Sequence, residues 1–82
     1  MRKRLNLKLL DEIAIKIGWE IIEKGAVRRV YVRDRLKIKL TKVVKGYKIM
    51  LFRNNKMVDA DITSSKHEAL ILLGESLMFR EW

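Results

Sequence analysis

The sequence predicts an α+β domain: a four-stranded antiparallel sheet flanked by an N-terminal and a C-terminal helix, in the order α-β-β-β-β-α. Three observations predict it. Apolar residues recur at helical spacing near both ends of the chain. Between those stretches, apolar and charged residues alternate one by one, as along a half-buried strand. The alternating runs are parted by short segments with turn chemistry.

The first helix is expected from Leu7 to Lys24. Asn6 can cap it, and Leu5 and Leu10 stand at the two ends of a hydrophobic staple. Leu9, Ile13, Ile17 and Ile21 recur at a spacing of four, joined by Leu10 and Ala14. Lys8, Glu12, Lys16 and Glu20 line another face, where opposite charges can pair. Gly25 stands where a C-terminal glycine belongs. The alternative ends the helix at Gly18 and makes Trp19–Glu23 a short strand.

Four strands are expected next: 27–33, 36–44, 47–53 and 56–62. Lys45-Gly46 is a tight turn, and Asn54-Asn55 is a two-residue hairpin signal because Asn tolerates positive φ. Closing the last hairpin at Asn54-Asn55 pairs Phe52 with Met57, Leu51 with Val58, Met50 with Asp59, Ile49 with Ala60 and Lys48 with Asp61. The Lys45-Gly46 turn sets Leu40 opposite Leu51. In the first hairpin a three-residue loop, Arg33-Asp34-Arg35, pairs Val32 with Leu36 and keeps apolar residues on one face. The second helix is expected from Lys66 to about Arg80. Ser65 and Glu68 form a capping box, and Ala69, Leu70, Leu72, Leu73 and Leu77 cover the sheet.

This register sorts the strands into two faces. The core face holds Val30, Val32, Leu36, Ile38, Leu40, Tyr47, Ile49, Leu51, Val58, Ala60 and Ile62. The other face holds Arg29, Tyr31, Arg33, Lys37, Lys39, Thr41, Lys48, Met50, Phe52, Met57, Asp59 and Asp61.

Charge gives that second face its meaning. The 82 residues carry a net charge of +9. Residues 26–56 hold eleven basic side chains against one acid, Asp34. Residues 1–25 net +2 and residues 57–82 net −3, so the positive charge belongs to the sheet. A polyanion is the expected partner; a basic face kept only for solubility is the alternative. Cations among flat apolar groups suit a single strand, whose phosphates bind lysine and arginine and whose bases stack on aromatic rings. The expected nucleic-acid-binding residues are Arg29, Arg33, Lys37, Lys39, Lys48 and Arg53 for phosphates, with Tyr31 and Phe52 for bases. Met50, Phe52 and Met57 as a second small core or an oligomer interface is the competing account of the same face.

Other side chains are allotted as follows. Ile71, Met78, Phe79 and Trp82 exceed what one sheet face needs and are expected to join two copies into a homodimer or higher oligomer, unless they pack on the first helix. Arg2, Lys3 and Arg4 belong to a basic arm over residues 1–5, either flexible and adding non-specific affinity or a plain solvated terminus. His67 is expected to face solvent, with a phosphate contact as the alternative. With no cysteine and one histidine, no disulfide, zinc site or catalytic triad is expected. No metal, cofactor or small-molecule substrate is called for, and the chain is read as non-enzymatic; Asp59 and Asp61 are read as charge balance, with a nuclease metal site as the alternative. No apolar run approaches membrane-spanning length and no signal peptide is read, so a cytoplasmic location is expected. Glutamine, cysteine and proline are absent while charged residues reach 35%; apart from the missing proline, this is the composition of a thermophile protein.

The stretches Val27-Arg-Arg-Val-Tyr-Val-Arg33, Leu36-Lys-Ile-Lys-Leu40 and the helix from Ala69-Leu-Ile-Leu-Leu73 onward, in this order, resemble the archaeal single-stranded DNA-binding proteins called ThermoDBP and their shorter relatives. The resemblance is architectural and carries no residue-level motif. It implies a helix-mediated dimer and a basic, partly apolar cleft, and it favours DNA over RNA, which the charge argument does not separate. Ser64-Ser-Lys-His-Glu-Ala69 is similar to the start of the last helix in double-stranded-RNA-binding domains. The present sequence departs from that family in having only Lys66 where a lysine cluster belongs, in an extra strand, and in lacking the usual glycine- and histidine-bearing loop. An adaptor of viral or plasmid origin, whose basic face binds an acidic protein, is the alternative from another class.

Overall fold

The structure is a computed structural model that describes residues 5–78. Its elements are α1 (Leu7–Lys16), β1 (Glu20–Lys24), β2 (Arg28–Arg33), β3 (Leu36–Val43), β4 (Gly46–Arg53), β5 (Lys56–Thr63) and α2 (Lys66–Met78). The five strands form one antiparallel meander in the order β1-β2-β3-β4-β5. The α+β class and the flanking helices are as expected; a fifth strand is added.

That strand comes from the shorter first helix. Asn6 Oδ1 accepts the Leu9 N–H at 2.9 Å and caps α1. At the other end Gly18, at φ +105, reverses the chain. Gly18 N–H donates to Ile15 O and Trp19 N–H to Ala14 O, the paired bonds of a Schellman motif. Trp19 then turns into the core, with its Nε1–H donating to Leu77 O at 3.0 Å. The expected helix to Lys24 is thereby corrected. The charge spacing continues through Glu20, but a glycine followed by a large apolar residue ends the helix first.

Two registers are also corrected. The β2–β3 loop has two residues, Asp34-Arg35, with Asp34 at φ +55, so that Val32 pairs with Lys37 and Arg33 with Leu36. This reverses the facing of all of β2 relative to the three-residue loop expected. In the last hairpin Phe52 pairs with Met57 as expected, but a bulge follows, and Leu51 meets Asp59, Ile49 meets Asp61 and Lys48 meets Ile62. The turn before β4 is Val44-Lys45, which sets Leu40 opposite Ile49 and leaves the facing of β3 and β4 unchanged.

The helix-covered side therefore holds Tyr31, Leu36, Ile38, Leu40, Tyr47, Ile49 and Leu51. Val30, Val32, Ala60 and Ile62, expected on the core face, stand on the other side, where Val30 is nonetheless buried, and Val58 is exposed at the bulge. Leu10, Ala14, Trp19, Ala69, Leu70, Leu73 and Leu77 complete the core from the helices. Leu10, Ile38, Ile49, Leu51 and Leu73 are all but inaccessible, each contributing roughly 1.5–3 kcal/mol by burial. The α2 cap differs from a full capping box. Ser65 Oγ accepts the Glu68 N–H, while the Glu68 carboxylate takes the Thr63 hydroxyl instead of Ser65 N–H.

Gly46 begins β4 at φ +149, and a Cβ there would lie 2.0 Å from Thr63 O. Replacing it by alanine adds strain and a clash with backbone rather than with a flexible side chain. Gly46→Ala is expected to cost on the order of 3 kcal/mol in chemical denaturation. A loss under 0.5 kcal/mol would mean that the β4–β5 contact relaxes freely.

Candidate nucleic-acid interface

The sheet has one covered and one open side, and the expected binding residues divide between them. Lys37, Lys39, Lys48 and Phe52 share the open side. Arg29, Tyr31 and Arg33 do not: alternation and the β2–β3 register place them on the helix side. Arg53, exposed at the end of β4, also falls on the helix side of the layer.

Local partners explain why β2 faces this way. Tyr31 is 0% exposed, and its hydroxyl donates to Asp11 Oδ1 at 2.6 Å. The same carboxylate, itself 6% exposed, accepts Arg29 Nη1–H on Oδ2 at 2.5 Å. Burial and the adjoining Asp11 carboxylate push the Tyr31 hydroxyl pKa far above its ordinary value. Arg29 Nε is buried without a hydrogen-bond partner among the described residues. Arg33 lies over the Trp19 ring at 4.7 Å and donates to Ile17 O at 3.3 Å. Each of these side chains has a polar end that meets helix α1 or the turn after it. Tyr31 therefore cannot stack on a base, and Arg29 is held by Asp11.

On the open side, β3 and β4 bring Lys37 beside Phe52, Lys39 beside Met50, and Thr41 beside Lys48. All six are half-buried, and neither strand contains an acidic residue. Two residues along a strand advance about 6.8 Å, comparable to one phosphate step of an extended single strand. Lys39 Nζ lies 5.2 Å from the Phe52 ring centroid. Val30 and Val32 flank β3 on one side, and Ala60 and Ile62 flank β4 on the other.

Arg28 is an open-side cation that sequence reasoning left out, but its charge is already taken. Its Nε and Nη2 donate to both Glu23 carboxylate oxygens, at 2.5 and 3.1 Å. The guanidinium hydrogen bonds hold the Glu23 carboxyl below its usual range. Asp59 and Asp61, expected on the cationic face, stand on the helix side of edge strand β5. Of the residues assigned to self-association, Ile71 and Met78 are exposed on α2, and Phe79 and Trp82 lie outside the described residues. Arg2, Lys3 and Arg4 also lie outside them. His67 is exposed in the first turn of α2.

Comparison with known proteins finds no matching family model, no matching curated protein and no matching solved structure. No described helix is long and apolar enough to cross a membrane.

The buried hydroxyl gives a pH signature. Because folding raises the Tyr31 pKa, its contribution is complete below the unfolded tyrosine value, near 10, and is lost as pH rises above it. Tyr31→Phe is expected to cost about 1–3 kcal/mol at pH 7 by leaving an Asp11 oxygen unpaired. The gap between wild type and variant should narrow in denaturation curves above pH 10. A gap unchanged with pH would contradict the hydrogen bond.

Proposed function

We propose that this chain binds single-stranded nucleic acid along the open side of its sheet, without enzymatic chemistry and with little dependence on base sequence. The observation that carries the reading is the grouping of Lys37, Lys39 and Lys48 with Phe52 and Met50 on strands free of acids. Lysines at a two-residue spacing offer successive phosphates a cation each. Phe52 and Met50 offer flat or pliable apolar surface to the bases between them. The open side has no covering helix among the described residues, so an extended ligand has access along both strands.

Arg29, Tyr31 and Arg33 have no part in this interface. The aromatic role falls to Phe52, and magnitudes decide whether it can serve. The Lys39 contact with its ring, at a half-buried site, is worth on the order of 1 kcal/mol. Stacking a base is worth about 1–3 kcal/mol. A base therefore displaces the ammonium, which moves onto the neighbouring phosphate. Single-stranded DNA is the favoured ligand, and Ile71 and Met78 are the exposed groups through which two copies would meet.

Fluorescence anisotropy with an unstructured oligonucleotide tests the reading. Three phosphate contacts predict a log–log salt slope near −2, at about −0.7 per contact on a single strand. Replacing Lys37 and Lys39 together by alanine should flatten the slope by about 1.4. Phe52→Ala should weaken binding by about 1–3 kcal/mol with the slope intact, and Tyr31→Phe should leave affinity unchanged. Absence of binding at low salt would overturn the proposal and favour an acidic protein as partner.

A further inference from the structure

At one end of the sheet the β2–β3 and β4–β5 turns lie side by side. The Asn54 N–H donates to Arg35 O at 2.9 Å and ties the two turns together. Between them is a depression of about 240 Å³ lined by Val32, Asp34, Arg35, Leu36, Lys37, Asn54 and Asn55. It adjoins the proposed strand path, because Lys37 belongs to both and Phe52 is the cross-strand neighbour of Lys37.

The lining combines opposite kinds of group. Val32, on the open side beside Lys37, gives a small apolar surface, whereas Leu36 belongs to the helix side of the layer. Asn54 and Asn55 supply amides, Arg35 and Lys37 supply cations, and Asp34 supplies the one carboxylate of residues 26–56. Ion pairs among the described residues join Glu23 to Arg28 and Asp11 to Arg29, and Asp34 makes neither, although Arg33 and Arg35 flank it. A carboxylate is an acceptor only, with two oxygens side by side. In a cationic surface, an acid costs affinity for phosphate unless it meets a donor on the ligand.

We infer that this depression takes one base of the bound strand and that Asp34 makes it a guanine subsite. Guanine alone among the common bases presents two adjacent donors, N1–H and the N2 amino group, on its Watson–Crick edge. A carboxylate accepts both. The neighbouring O6 is an acceptor, suited to an Asn54 or Asn55 amide or to the Lys37 ammonium. Adenine, cytosine and thymine each place an acceptor beside a donor and would set it against the carboxylate. The inference rests on the single-strand reading of the open side and adds a base preference at one end of the path.

Asp34 has a plain backbone role as well, since aspartate tolerates positive φ in a turn. Asparagine tolerates it equally, so Asp34→Asn removes the charge and keeps the turn. The test compares a twelve-residue oligothymidylate with the same oligomer carrying one central guanine, adenine or cytosine. Wild type should bind the guanine oligomer about tenfold more tightly than the other three, the scale of one bidentate base contact. Asp34→Asn should abolish that preference and keep the affinity for oligothymidylate, which also reports an intact fold. Lys37→Ala should weaken binding to all four. If wild type binds all four equally, or Asp34→Asn retains the preference, the subsite is refuted and the open-side reading stands. If none of the four binds, both readings fail together.

Discussion

The Asp11 carboxylate is buried between α1 and the sheet, with the Tyr31 hydroxyl on one oxygen and the Arg29 guanidinium on the other. Leaving such a group unpaired typically costs 3–5 kcal/mol. A shift of β2 by one residue would carry both donors to the opposite side of the layer. The same shift would bring Val30 and Val32 under the helices, a modest apolar gain against an orphaned buried charge. This network thus favours the observed facing of β2, and through the β2–β3 register it accords with Lys37 and Lys39 standing on the open side.

The two sides of the sheet consequently use cations in different ways. On the covered side Arg29 and Arg33 are committed to internal partners, a carboxylate and an indole. Their charge contributes to the overall field but not to direct contact. On the open side Arg28 is balanced by Glu23, whereas Lys37, Lys39 and Lys48 make no ion pair with the described residues. A surplus of basic residues in the sequence is therefore a poor measure of the binding surface. The proposed interface reduces to three lysines and the apolar groups between them.

Features governed by neighbours in sequence were legible beforehand. Asn6 and Ser65 cap their helices, Asn54-Asn55 closes its hairpin with both residues at positive φ, and the alternation of β3 and β4 sorts their faces correctly. Features governed by distant partners were not. Arg-Val-Tyr-Val-Arg alternates equally well in either facing, and the partners that break the tie, Asp11 on α1 and the turn that follows it, are distant in sequence. Tyrosine and arginine bury an apolar body when something meets their polar ends, and the local pattern does not show that partner. Gly18 signalled a helix end, but the charge spacing through Glu20 argued against it. The bulge at Val58 had no signal: it moves Ala60 and Ile62 outward and brings Asp59 and Asp61 to the helix side, where a regular hairpin would do the reverse.

The meander has a kinetic corollary. Each strand pairs with the next along the chain, and three of the four hairpins close through two-residue turns. Such contacts have little loop entropy to overcome, which favours rapid assembly for a β-rich chain. The bond from Trp19 to Leu77 O joins positions 58 residues apart. Its closure gathers a far longer stretch of chain than any hairpin turn does, so this contact carries a larger loop-closure cost than they do.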